Sequence, residues 1–541
     1  MSGTATEFDY VIVGAGTAGS LMAARLAETP GVTVCVLEAG PADTDPNIGF
    51  PPGFMKMIFN PKATWGFVSE PGEGLNGRSI PAIQGRVVGG SMAVNGMVYT
   101  RGQAADFDKW AQLGNPGWGY DDILPYFRKT ETNTDKGDPR YRGQDGKLPI
   151  VALDWKNDLV DAFIRGASEL GIPYNPDYNG ATQAGAGVYQ YNIGKGKRIN
   201  TARAFLHGAR RTGRVDLRVN ARATKVLFEG KTAKGVSYTR DEGASVQTVT
   251  ARREVILCSG AINTPRLLQV SGIGDPEHLR EIGVDVVHAL PGVGQNLRDH
   301  ITPRTVVKVR GATSLNQIAN SKVKIAGQMV NWLRNKPSVI GIGVVLGQIF
   351  WKSNPALDNP DMLVTFTPGS FKEGFLGVLD DVPGMTLGAW QLRPESTGYV
   401  KAKSTDLFEA PAIQPNYLSA EHDRDVLLSG QKLIRRLLNE TSLKKYVVEE
   451  MMPGPSVQTD DDLRAYARRQ ALAGYHYCGT AKMGPATDPL AVVDASLRIH
   501  GLSNIRVIDA SIMPEITSGN TNAPTMMIAE KGADMVKAAA A

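Results

Sequence analysis

The chain begins with an apolar run over residues 8–13. It passes at once into Gly14-Ala15-Gly16-Thr17-Ala18-Gly19, a stretch of helix formers, a second apolar run over residues 32–37, and Glu38. Strand, glycine turn, helix, strand and acid in that order describe a βαβ unit built to hold a dinucleotide. Gly14 permits the tight turn after the strand, Gly16 lets the backbone approach a pyrophosphate, and Gly19 lets the helix lie close on the sheet. The helix N-terminus then faces the anion. Glu38 ends the second strand, where its carboxylate is placed to accept hydrogen bonds from an adenosine ribose.

A chain of 541 residues exceeds what one hydrophobic core organises, so two intertwined domains are expected. A formal net charge of +5 with no long basic block argues against a nucleic-acid partner. Cys35, Cys258 and Cys478 form a sparse, odd set in apolar or glycine-rich surroundings, which predicts reduced, buried thiols in a reducing compartment. With no closely spaced cysteine pair, a disulfide-exchanging centre, a structural zinc and an iron–sulfur cluster are not expected, and no metal site is assigned. Residues 1–7 are polar and lead directly into the first strand, so no secretory signal is expected and the cytoplasm is the expected location. Residues 338–350 are the most apolar later stretch; they fall short of the ~20 residues that span a bilayer, so no transmembrane segment is expected.

The pattern along the chain predicts a discontinuous α/β (α+β) architecture: a Rossmann-like domain formed by residues 1–155, 200–305 and 465–541, and a second domain on an antiparallel sheet formed by residues 156–199 and 306–464. Residues 128–145 are charged and polar and read as a surface connection. Residues 215–228 alternate as one strand, residues 235–238 and 246–251 continue a small sheet, and residues 254–258 read as a buried strand returning to the first domain. Residues 304–309 and 362–367 are further β-rich runs, 421–439 are helical, 505–508 form a core strand and 525–539 a terminal helix. Residues 325–350 read as buried packing, with an apolar substrate pocket as the alternative.

Several segments then point to one family. Gly85-Arg86-Val87-Val88-Gly89-Gly90-Ser91, with Asn95, Tyr99, Gly102 and Asp108, resembles the first signature of the glucose–methanol–choline (GMC) oxidoreductases. The run from Gly260-Ala261-Ile262-Asn263-Thr264-Pro265 to Gly274 resembles their second signature, and Gly294-Gln295-Asn296-Leu297-Arg298-Asp299-His300 is similar to a further family segment. The resemblance spans nearly the whole chain. It implies bound FAD and a GMC fold, in which a Rossmann-like FAD-binding domain is joined to a substrate-binding domain. The small residues Gly89-Gly90-Ser91 offer consecutive backbone N–H groups, which suits a loop laid against a flavin or its phosphates. The resemblance implies cofactor contacts at Gly14, Gly16, Thr17, Gly19, Glu38, Ala39, Trp65, Val88, Gly90, Asn95, Val98, Val226, Asp509, Ala510 and Thr521. Asp509 reads equally as a local cap. Met92 departs from the first signature. Val94 stands where some relatives attach FAD through a histidine, so non-covalent FAD is expected.

The segments Gly474-Tyr475-His476-Tyr477-Cys478-Gly479-Thr480 and Ser518-Gly519-Asn520-Thr521-Asn522-Ala523-Pro524 resemble the family's paired catalytic positions. Oxidising an alcohol requires a base for the hydroxyl proton and an acceptor for a hydride, and an imidazole is the side chain poised to take the proton. His476 is the expected base. Asn520 cannot be one; its amide orients the substrate oxygen. Pro524 fits the first turn of a helix whose N-terminus points at the site, where reduced flavin gains negative charge. His300 reads as structural, and His207, His278, His288, His422 and His500 carry no assigned role. The expected reaction is oxidation of a primary alcohol to an aldehyde, with oxygen or a quinone-type carrier as acceptor. A non-redox lyase and a light-driven decarboxylase are alternatives on the same fold. Choline would require a cation site, and none is legible.

Overall fold

A computed structural model describes residues 6–135, 137–152, 154–240, 243, 245–343, 345–372 and 377–540. The strands Val215–Arg218, Val34–Leu37, Glu7–Val13 and Gln247–Leu257 lie side by side in that order, all parallel, with Ile505–Val507 also parallel on Gln247–Leu257. After its first residue, Glu7–Val13 is buried throughout, as is Val34–Leu37. Such uninterrupted apolar runs belong to a parallel sheet covered on both faces. The helices Thr17–Leu26 and Asn522–Ala539 pack against each other, joined by a buried ion pair in which Arg25 Nη2 stands 2.6 Å from Glu530 Oε1.

Two expectations change here. Residues 215–228 are two strands, Val215–Arg218 and Arg222–Glu229, because the chain turns through Asn220 at φ 49° and crosses to the other side of the sheet. The runs at 246–251 and 254–258 are instead one strand, Gln247–Leu257. Its first half pairs antiparallel with Thr232–Thr239, and its second half pairs parallel with Glu7–Val13.

A six-stranded sheet follows the order Val447–Met452, Arg304–Val309, Gly384–Gln391, Met362–Thr367, Gly347–Trp351, Gly185–Val188, with every neighbouring pair antiparallel. Period-2 alternation gives it two unlike faces. Met385, Leu387 and Ala389 join Met362, Val364 and Phe366 in a core closed by the helices Asp158–Glu169 and Glu421–Glu440. Thr386, Gly388, Trp390, Thr365 and Thr367 face a cavity on the other side. Gly398–Lys401, inside the span expected for the second domain, pairs on one side with Ala412–Gln414 and on the other with Gln295–Leu297, next to the helix Gly260–Val270.

Residues 128–145 are not simply a surface connection. Glu131 and Arg142 are fully buried, with Arg142 Nε 2.7 Å and Arg101 Nη2 2.8 Å from Glu131 Oε1. The charge that made this segment read as exposed is paired inside the protein, as buried charge must be. Residues 325–350 also divide: the helix Lys322–Leu333 carries no buried residue, residues 347–350 lie in the second sheet, and Val345 reaches the cavity. Among the described residues no helix is long and apolar enough to cross a membrane.

Candidate active site

The cavity, about 460 Å³, runs from the glycine turn of the first sheet to the threonine-bearing face of the second. At its floor two glycine loops meet. A Cβ on Gly90, whose φ is +55°, would stand 2.6 Å from Gly16 Cα. The helices Thr17–Leu26 and Asn522–Ala539 both begin at the cavity wall, and neither has a side-chain cap or an acidic residue in its first turn. Uncapped N–H groups together with the helix dipole make such ends receptive to anions. Asn522 Oδ1 accepts from Thr17 Oγ1 at 3.0 Å, while Asn522 Nδ2 is buried with no acceptor among the described residues. A cradle of glycines, two open helix ends and an orphaned amide donor fits a dinucleotide that carries a pyrophosphate.

Of the residues expected to contact a cofactor, Gly14, Gly16, Thr17, Glu38, Ala39, Trp65, Gly90, Asn95, Val98, Asp509, Ala510 and Thr521 line this cavity, as do His476 and Asn520. Three do not. Gly19 serves packing, since a Cβ there would lie 1.9 Å from Gly14 O. Val88 is buried behind the loop, with its N–H donating to Pro41 O. Val226 sits in the core with its N–H donating to Ser271 Oγ, and Ala221, Arg222 and Ala223, around the start of its strand, line the cavity instead. Glu38 is buried, and its carboxylate accepts from the N–H groups of Ala15 and Gly40 at 2.9 and 2.8 Å. Asp509 also acts as a cap, accepting from the N–H groups of Gly260 and Ser511. The sequence reading missed Arg222 and Arg266, two cations in the wall that burial brings down to about 10.

His476 is set by a chain of hydrogen bonds. His300 Nε2 lies 2.8 Å from Leu392 O, and a carbonyl only accepts, so Nε2 carries the proton. Burial lowers the His300 pKa to about 4, which keeps the ring neutral and leaves a lone pair on Nδ1. That lone pair accepts from His476 Nδ1–H at 2.9 Å. The lone pair of His476 is therefore on Nε2, which accepts from Asn520 Nδ2 at 2.8 Å. Asn520 Oδ1 accepts from Thr100 Oγ1 at 3.3 Å, which turns the amide N–H groups towards His476. Burial, and His300 next to it, hold the His476 pKa well below the ordinary histidine value.

Two family models, each described as GMC oxidoreductase, match residues 8–302 and residues 394–529, together more than half of the chain. The chain is a GMC oxidoreductase. It is 39% identical to an alcohol dehydrogenase [acceptor] of Pseudomonas putida, covering 98% of this chain and 95% of that one. It is 37% identical to an oxygen-dependent choline dehydrogenase of Brucella suis biovar 1, with the same two coverages. A structure concerned with FAD modification in formate oxidase of Aspergillus oryzae RIB40 superposes with a TM-score of 0.91 at 26% identity, covering 99% of this chain and 98% of that one. GMC oxidoreductases are FAD-dependent, and this fold is theirs.

In this GMC oxidoreductase the family-like segment at 294–300 is the scaffold of the loop that carries His476. Arg298 and Cys478 exchange backbone hydrogen bonds, each 3.0 Å, and Gly474 N donates to His300 O. Asp299 is buried beneath the loop, accepting from His476 N–H and from Tyr417 O–H, both at 2.5 Å. Burial pushes the Asp299 pKa up to about 7. Tyr475, at φ 61°, occupies the left-handed region that the Asp299 contacts help to enforce. His300 was read as structural from the sequence; its motif was the available signal, but no spacing links it to His476.

Proposed function

We propose that this GMC oxidoreductase converts a primary alcohol to an aldehyde with non-covalently held FAD, and that His476 is the base. The observation that carries this reading is the lone pair of His476 Nε2, held towards the cavity by the His300 and Leu392 contacts. A substrate hydroxyl that displaces the Asn520 Nδ2–H from His476 Nε2 donates to Nε2 and accepts from Asn520 Nδ2. As the proton reaches Nε2, the charged ring keeps its Nδ1–H bond to His300, and Asn520 keeps hold of the substrate oxygen. Positioned proton transfer of this kind contributes about 10²–10⁴-fold. Bound FAD supplies the hydride acceptor. The open N-terminus of Asn522–Ala539 offers a partial positive charge to negative charge that forms beside it. Val94 in the cavity wall cannot form the bond a histidine makes, which supports non-covalent attachment. Three buried, unpaired cysteines suit a reducing compartment, the cytoplasm.

The test is anaerobic mixing of the yellow holoenzyme with benzylic, aliphatic, polyol and choline-type alcohols while the flavin's visible band is followed. Bleaching that is lost in His476→Ala supports the reading. No bleaching by any alcohol, with dithionite still bleaching, would sink it and favour a non-redox or light-driven activity. Admitting air then separates oxygen from a quinone-type acceptor, and FAD released into the supernatant by acid precipitation reports non-covalent binding.

A further inference from the structure

The wall formed by the second sheet holds hydrogen-bond donors that the protein itself does not use. Arg304 pairs in register with Gly388, so both lie on the cavity face of that sheet. Among the described residues the Arg304 guanidinium has no ion pair and no hydrogen-bond acceptor; its companion is the ring of Phe371, 5.6 Å from Arg304 Cζ. The indole N–H of Trp390 is buried and also without an acceptor. A Cβ added at Gly388 would lie 2.7 Å from Thr302 Oγ1, 3.1 Å from Thr365 Oγ1 and 3.6 Å from Trp390 Nε1. Only glycine at 388 lets two hydroxyls and an indole N–H crowd together on this face, beside Arg304 on the paired strand. Trp390 also touches the catalytic end, its ring 5.2 Å from that of His476.

The acids of the cavity lie elsewhere. Among the described lining residues they are Glu38 and Asp509, and both are engaged by backbone N–H groups around the dinucleotide turn and the start of Gly260–Val270. A desolvated guanidinium without a counter-charge is costly, and burial presses its pKa downward. An incoming carboxylate would supply the missing partner in the planar, two-point geometry that arginine favours. A quaternary ammonium group would meet a like charge there.

We propose that the substrate is an alcohol bearing a carboxylate, with the carboxylate anchored on Arg304 and the carbinol carbon at His476. This rests on the alcohol-oxidation reading. The carboxylate is unchanged in the reaction: the O–H proton goes to His476, the C–H hydride to FAD, and the carbon–oxygen bond becomes a carbonyl.

The test compares ω-hydroxyalkanoates and hydroxymethylbenzoate with their methyl esters and with choline, by anaerobic flavin bleaching of the holoenzyme. The acids are expected to half-saturate at concentrations about 30–100-fold below their esters, the preference expected of a charge-assisted anchor. In Arg304→Met that ratio collapses towards unity, and Arg304→Lys retains part of it; FAD content and thermal midpoint show that each variant is folded. A parallel titration uses alkanoates and benzoate, which lack the hydroxyl, and reads the flavin absorption shift. The shift is expected in the parent and absent in Arg304→Met. Esters or choline matching the acids would overturn the carboxylate assignment and leave alcohol oxidation standing. An Arg304-dependent shift with no bleaching by any alcohol would keep the anion site and reject alcohol oxidation. Neither bleaching nor shift would reject both.

Discussion

His476 acquires its role from neighbours that are themselves constrained. Leu392 O accepts from His300 Nε2–H, His300 Nδ1 accepts from His476 Nδ1–H, and the His476 lone pair is left on Nε2, on the side of Asn520. His476→Ala is expected to slow anaerobic flavin reduction by about 10²–10⁴-fold with FAD retained, checked by stopped-flow absorbance. His300→Leu removes the acceptor that selects the tautomer and the neighbour that depresses the His476 pKa. Its flavin reduction rate should fall by about 10²-fold, and the acid limb of kcat/KM should move to higher pH. In the parent enzyme kcat/KM should stay level below pH 6.5, the ordinary histidine value. The same burial has a cost in stability. His300 and His476 titrate lower in the folded than in the unfolded state, so below pH 6.5 the unfolded chain binds more protons. Stability is complete above about pH 6.5 and is lost as pH falls towards the His300 value of about 4. Urea melts across that window should show a shallower slope in His300→Leu.

At the scale of elements, the cofactor cradle consists of strand ends, two open helix N-termini and two glycine loops in contact. Gly90→Ala would push a methyl group to 2.6 Å from Gly16 Cα and so part the loops, on a backbone at φ +55° that alanine adopts reluctantly. FAD affinity should fall by more than about 10-fold, measured by fluorescence titration of the apoprotein, an effect of ~1.4 kcal/mol or more. Such elements were legible where the pattern was local. The glycine turn, the returning strand within 247–257 and the terminal helix each announce themselves within a few consecutive residues. The break at Asn220 was not legible, because alternation continues across it and the opposite edges of the sheet decide the turn. Residues 128–145 misled for a related reason: their composition is that of a surface, and Arg101, a distant residue, is what allows Glu131 to be buried.

The molecule as a whole closes one cavity between two sheets from segments scattered along the chain, so the cofactor is a structural tie as well as a reagent. Stripping FAD should lower the thermal midpoint and restoring it should recover the loss, since a ligand at 1,000 times its Kd adds about 4 kcal/mol; calorimetry of apo and reconstituted protein checks this. What the sequence by itself determined is the set of local commitments: the dinucleotide turn, the glycine loop laid against it and the family motifs. These depend on residue type and short-range spacing, which a sequence states directly. The pairing of His476 with His300, 176 positions away, the buried Glu131 cluster and the unpaired Arg304 facing Gly388 were decided only by the tertiary structure. A tautomer or an unanswered charge depends on which groups meet once water is excluded, and those meetings are set by how the sheets and helices pack.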